Sequence, residues 1–193
     1  MLGALCASML ACTPAWAGRI AAGAYNAYVV DSDGSVWAWG GNLYGQLCDG
    51  TTNHRFTPSR LPGLAAIAGV SAGGSHGLAR KTDGSLLAWG LNSTDSTGRG
   101  GGQLGDGTQT NRGSPVAVLD GGADTQVVAG AYHTLAVQGN GSLKAWGYNL
   151  HGQVGDGSTQ SRETPVVVSG ASSVVGAAAG CLHSLALKGD GTA

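Results

Sequence analysis

Short apolar runs broken by glycine-centred turns come round along this chain at a near-constant interval. In the clearest round, Val128-Ala129-Gly130 closes one run and Leu135-Ala136-Val137 forms a second. Leu143-Lys144-Ala145-Trp146-Gly147 is the third, and Pro165-Val166-Val167-Val168 completes the set. Runs this short, alternating in character and bounded by Gly, Asn, Asp and Pro, predict β-strands rather than helices. The phrase joining the first two runs occurs four times: Ala22-Gly23-Ala24-Tyr25-Asn26, Ala72-Gly73-Gly74-Ser75-His76, Ala129-Gly130-Ala131-Tyr132-His133 and Ala179-Gly180-Cys181-Leu182-His183. Its glycines are 50, 57 and 50 residues apart. A fixed period of that size marks a repeat architecture. A residue that recurs at one place in every unit is first a building requirement and only then a candidate for chemistry.

Each unit follows one template. The second run leads into Asp33-Gly34, Asp83-Gly84, Asn140-Gly141 or Asp190-Gly191. These pairs predict two-residue type I′ hairpins with φ > 0 at both positions. The third run places Trp39, Trp89 and Trp146 on one face and Ala38, Ala88 and Ala145 on the other, small enough for close packing between sheets. The tryptophans are expected to cap a sheet edge and cover the loop that follows them. That loop reads Asn42-Leu43-Tyr44-Gly45-Gln46 and Asn149-Leu150-His151-Gly152-Gln153; in the second unit a Ser/Thr/Gly-rich insertion, residues 93–102, interrupts it. Asp49, Asp106 and Asp156 follow, each six residues before Arg55, Arg112 or Arg162, and a last strand starts near Pro58, Pro115 or Pro165. Four short strands in roughly fifty residues is the arithmetic of a β-propeller blade.

Composition agrees. Glycine supplies 36 of 193 residues without a triplet period, which excludes collagen, and 42% hydrophobic content argues against disorder. A formal net charge of −1 gives no electrostatic drive toward nucleic acid or an anionic membrane. Residues 1–17 stand apart: Met1 to Cys12 is apolar and uncharged, and Thr13-Pro14-Ala15-Trp16-Ala17 ends in Ala-x-Ala. This reads as a signal peptide cleaved after Ala17, although no basic residue precedes the apolar run. The reading places the mature chain, residues 18–193, in the periplasm, at the cell surface or outside the cell, with no integral membrane segment. A lipid anchor at Cys12 and, without a signal, a cytoplasmic location are the alternatives. Beyond residue 17 only Cys48 and Cys181 remain, at different places in their units; two separate small thiols are favoured over a bridge.

The string Ala-Gly-x-x-His-(Thr/Ser)-Leu-Ala, then Asp/Asn-Gly, then Ala-Trp-Gly-x-Asn-x-x-Gly-Gln-(Leu/Val)-Gly-Asp-Gly and Arg-x-x-Pro-Val closely resembles the RCC1 (regulator of chromosome condensation) repeat. The resemblance runs over about residues 19–193. It implies an all-β, RCC1-like β-propeller, of which this chain carries about three and a half four-stranded blades, near 19–68, 69–125, 126–175 and an incomplete 176–193. Family rings are typically seven-bladed, so the sequence reads as a fragment. The remaining blades are expected from a longer chain or from self-association. Two departures stand out: Asn26 replaces the histidine, and Cys48 replaces the glycine of Gly105 and Gly155, a substitution that strains the first blade if that position needs φ > 0.

Candidate chemistry divides by whether it repeats. His76, His133 and His183 tempt as a zinc set, but whole blades separate them, and the reading preferred is a hydrogen bond between neighbouring blades. Each Asp–Arg pair is read as a tie within its own loop rather than as a ring of guanidinium groups facing an acidic partner. No nucleophile–base arrangement, phosphate loop or paired carboxylate is present in the sequence. The expectation is therefore a protein that is not an enzyme and has no cofactor or bound metal. Non-repeating residues are the candidates for contact with an unidentified protein partner: Tyr44, His54, Phe56, Tyr148 and His151, with Asp95 and Arg99 in the insertion. The leading reading is a non-catalytic, exported interaction propeller. The resemblance also admits a guanine-nucleotide exchange factor for a small GTPase or a secreted inhibitor of a β-lactamase-type enzyme. It argues against the family's ultraviolet photoreceptors, because Ala131-Tyr132 stand where Trp-Arg would be.

Overall fold

A computed structural model describes residues 18–94, 101–122 and 124–193. Three four-stranded antiparallel meanders follow one another: β1 (Ile20–Ala22), β2 (Asn26–Val30), β3 (Val36–Gly40) and β4 (Arg55–Arg60); β5 (Ile67–Ala72), β6 (His76–Lys81), β7 (Leu86–Gly90) and β8 (Arg112–Ala117); β9 (Asp124–Ala129), β10 (His133–Gln138), β11 (Leu143–Gly147) and β12 (Arg162–Val167). A two-stranded sheet of β13 (Val174–Ala179) and β14 (Ser184–Lys188) comes last. Strands pair in chain order, so each four-stranded sheet is one propeller blade and the last hairpin is half of one.

The core lies between blades, because a single sheet cannot bury both of its faces. Tyr28, Val36 and Ala38 of the first blade pack with Ile67, Val70 and Trp89 of the second. Leu78, Leu86 and Ala88 meet Val127, Ala136 and Trp146, and Leu135, Leu143 and Ala145 meet Val174, Ala177 and Ala186. Ala38, Ala88 and Ala145 are fully buried, as expected for small side chains between closely stacked sheets. The arc is open. On the final hairpin Val175, Leu185 and Leu187 are 63%, 58% and 47% exposed.

Two local expectations are corrected. The hairpin turns are three-residue loops rather than type I′ pairs. The Gly34 N–H donates to the Asp31 carbonyl and the Asp31 N–H to that of Ser35; Gly84, Gly141 and Gly191 repeat the pattern. Only the glycine has positive φ, at 78° for Gly34, and the preceding carboxylate accepts the Ser35 N–H at 2.8 Å. This is a type I turn closed by a glycine bulge, and the Asx bond makes Asp or Asn favourable without left-handed backbone. The tryptophans also reach backwards rather than forwards. Trp89 Nε1 donates to the Gln46 carbonyl and Trp146 Nε1 to that of Gln103, both in the loop of the preceding blade. Cys48 does take the left-handed backbone of its equivalents, with φ 53° against 68° at Gly105 and 72° at Gly155, and is 1% exposed. Burial pushes its thiol pKa up.

Candidate interaction face

The Ala-Gly-x-x-His phrase builds the junction between blades. Backbone bonds cross it directly: Gly74 N–H to the Ala131 carbonyl and Ala131 N–H to the Gly180 carbonyl, each 3.1 Å. Glycine is required because a Cβ on Gly130 would overlap the His133 ring and stand 2.7 Å from the Gly180 carbonyl oxygen. His76 is fully buried, and its Nε2 lies 3.3 Å from Thr134 Oγ1 on the next blade. The Thr134 hydroxyl spends its proton on the Gln103 carbonyl at 3.0 Å. His76 must therefore carry its proton on Nε2. His133 repeats the chain through Ser184 to the Gln153 carbonyl, at 2.9 and 2.7 Å. Burial drives the pKa of His76 down to about 3, helped by His133, and that of His133 to about 4, helped by His183. Both rings are neutral. His183, at the open end, is exposed.

The first junction reaches the same carbonyl by another route. Asn26 Nδ2 donates to the Tyr28 hydroxyl, which donates to the Gln46 carbonyl, each at 2.5 Å. Tyr28 occupies the place of Leu78 and Leu135, while Gly77 stands where Thr134 and Ser184 carry hydroxyls. Trp89 closes over that glycine, edge-on to Tyr28 with centroids 5.5 Å apart. Three departures from the repeat thus form one compensated set.

The loops beyond the third strands are tied internally. Asn42 Nδ2 donates to Asp49 Oδ1 and the Thr51 carbonyl, while its Oδ1 accepts the Leu47 N–H. Asn92 and Asn149 do the same with Asp106 and Asp156. Each arginine bonds its own aspartate: Arg55–Asp49 at 2.8 Å, Arg112–Asp106 at 2.8 Å and Arg162–Asp156 at 2.5 Å. Burial alone would raise these carboxyls, but bonds from Thr51, Thr108 or Ser158 and from the arginines hold all three below the usual range, Asp156 at about 2. The arginines are committed to their loops. Among the described residues no group of three or more His, Cys, Asp or Glu side chains is placed to hold a metal ion, and no helix is long and apolar enough to cross a membrane. Cys48 and Cys181 are free thiols, the first buried and the second exposed.

What the loops offer outward differs from blade to blade. Tyr25, Leu43, Phe56 and Leu150 are 70%, 63%, 93% and 59% exposed. Tyr44 is half-buried; His54 and His151 are exposed. His54 also caps its loop, its Nδ1 accepting the Asn42 N–H at 2.9 Å, as Asn111 does for Asn92. Tyr148 leaves the contact set: at 5% exposure, its ring is packed edge-on against Tyr132 and His151. Asp95 and Arg99 lie outside the described residues. Tyr25 and Leu43 were not singled out from the sequence, although their variation between units is visible there.

A family model described as "Regulator of chromosome condensation (RCC1) repeat" matches residues 33–80, 83–137 and 140–187. The chain belongs to the RCC1 repeat family. A second RCC1 repeat model matches residues 19–46, 67–94 and 125–153. Among RCC1 relatives, the ultraviolet-B receptor UVR8 of Arabidopsis thaliana is 33% identical over 119 residues, 61% of this chain and 26% of the receptor. Human RCC1 domain-containing protein 1 is 29% identical over 165 residues, 67% of this chain and 44% of that protein. The crystal structure of Prp20p from Saccharomyces cerevisiae superposes with a TM-score of 0.71 at 22% identity, covering 86% of this chain and 42% of Prp20p. That likeness shows an RCC1 propeller fold. The chain spans less than half the length of each of these relatives.

Proposed function

We infer that this RCC1-repeat chain is a non-catalytic protein-interaction module acting after export. The observation that carries the reading is a division of labour. At the closed junctions and in the loops the repeated His, Thr, Asn, Asp, Arg and Trp side chains are consumed in ties, while Phe56, which no other unit repeats, stands 93% exposed beside the exposed Tyr25 and Leu43 at one end of the first blade. Exposed aromatic and aliphatic side chains on a rigid scaffold are what protein interfaces use as anchors. Export rests on the apolar, uncharged stretch Met1 to Cys12 and its Ala-x-Ala ending at Ala17.

A photo-crosslinking residue at Phe56, and separately at Asp83 in a turn at the opposite end of the second blade, tests the interaction in the producing cell. The reading expects a discrete protein adduct from Phe56 and none from Asp83. No adduct, or equal adducts from both, removes it. Amino-terminal sequencing of the mature chain should begin at Gly18. Prp20p has binding properties toward Gsp1p and histones, which keeps nucleotide exchange as a second reading. Release of labelled GDP from a small GTPase on addition of the chain would favour it over the interaction module.

A further inference from the structure

The first blade lacks a side chain that the second and third both have. Leu91 and Tyr148 each donate a backbone N–H, at 2.9 Å, to the residue before the junction histidine, and Gly41 makes the same bond to Tyr25 at 2.6 Å. The three positions are equivalent in backbone. Leu91 is 1% exposed and Tyr148 5%, so each fills its slot. Gly41 leaves the slot open, as a pocket of about 280 Å³ lined by Tyr25, Leu43, Tyr44, Gln46, His54 and Ser75.

The neighbouring blades show what such a slot accepts. In the third blade the Tyr148 ring sits edge-on between Tyr132, 6.1 Å away at 65°, and His151, 6.0 Å away at 69°. Tyr25 and Tyr44 hold those flanking places in the first blade. The Tyr44 N–H bonds Gln46 Oε1 as the His151 N–H bonds Gln153 Oε1. In the second blade the flanks are Ser75 and Gly101, and the occupant is the aliphatic Leu91. In the third blade aromatic flanks go with an aromatic occupant, an arrangement that edge-to-face packing favours.

We propose that the pocket takes a tyrosine side chain of a protein partner, its ring edge-on between Tyr25 and Tyr44 as Tyr148 is in the third blade. This rests on the interaction-module reading and names its anchor. Size permits it: a cavity of roughly 150 Å³ admits benzene. Gln46 Nε2, 3.7 Å from a Cβ built on Gly41, and His54 supply polar groups at the ring's edge. The φ of Gly41 lies outside the left-handed region, and a Cβ there would stand 3.1 Å from Tyr25 Cβ, so a side chain at this position requires Tyr25 to shift by a few tenths of an ångström.

The test titrates the full-length protein with N-acetyl-tyrosinamide and N-acetyl-alaninamide, following amide NMR shifts. It then screens displayed peptides carrying a fixed central Tyr or Ala. Tyrosinamide should shift Tyr25, Gly41 and Tyr44 saturably, with a dissociation constant on the order of a millimolar. Alaninamide should not. Gly41→Tyr, folded by the same circular dichroism spectrum, should weaken tyrosinamide about tenfold or more and abolish enrichment of Tyr-centred peptides. Tyrosinamide binding without peptide enrichment would overturn the protein source in favour of free phenols. Absence of saturable shifts, or binding unchanged in Gly41→Tyr, overturns the pocket. Peptides enriched equally by wild type and Gly41→Tyr would do so while leaving the interaction reading intact.

Discussion

Replacing Thr134 by valine isolates the junction between the second and third blades. Thr134 is fully buried on β10, and valine keeps its β-branched shape. The perturbation removes the acceptor of His76 Nε2–H and the donor to the Gln103 carbonyl. An unsatisfied buried donor such as His76 Nε2–H costs about 1–3 kcal/mol. The Gln103 carbonyl keeps its 3.0 Å bond from Trp146 Nε1, so that loss adds only about 0.5–1.5 kcal/mol. The sum, about 1.5–4.5 kcal/mol, is a large part of the roughly 5–15 kcal/mol a domain has in total. Urea unfolding followed by tryptophan fluorescence and far-ultraviolet circular dichroism measures it. With an m-value of about 1–3 kcal/mol/M the midpoint should fall by roughly 0.5 M or more at unchanged slope. Thr164→Val, on an exposed position of β12, should stay within about 0.5 kcal/mol. A Thr134→Val midpoint no lower than that of Thr164→Val would refute the relay.

Gly130→Ala drives a Cβ against the His133 ring and the Gly180 carbonyl and should cost about 1–3 kcal/mol or more in the same assay, whereas Gly122→Ala, with no atom within 4 Å, should be neutral or stabilising by about 0.4–1 kcal/mol. Rebuilding the second junction on the pattern of the first, with His76→Asn, Leu78→Tyr and Thr134→Gly, should show about 1–3 kcal/mol of favourable coupling between Leu78→Tyr and Thr134→Gly; simple additivity would deny the compensation. Stability should fall below pH 6.5, because the unfolded chain binds protons that His76 and His133, held at about 3 and about 4, refuse. Asp124, raised by burial to about 6, offsets one of them between pH 6 and 3.8. The net slope there should be about 1.4 kcal/mol per pH unit, and His76→Asn within the rebuilt junction should flatten it.

Most of the architecture is legible in the sequence because the repeat states each requirement several times over. Glycine before the histidine, alanine on the inward face of the third strand and asparagine at the start of the loop each recur, and each has one steric or hydrogen-bonding reason. The backward reach of Trp89 and Trp146 was not legible, since strand alternation gives a face but not which neighbour lies against it. The turn type is not legible, because Asp-Gly suits both a type I′ pair and a type I turn with a glycine bulge. The burial of Tyr148 is hidden for a related reason: a loop aromatic reads as a contact unless the slot it fills is known. The pocket at Gly41 is written in the sequence as Gly, Leu and Tyr at positions 41, 91 and 148, a signal that has meaning only once backbone bonds make the three equivalent.

The claim at the centre is that the repeated residues hold the blades and that binding occurs where the repeat is broken. A chemical-shift map of the intact chain against a selected Tyr-centred peptide tests it most directly. The expected map has shifts at Tyr25, Gly41, Tyr44 and His54, with the buried rings of His76 and His133 unmoved. Shifts centred on those rings, with the first-blade loop silent, would contradict it.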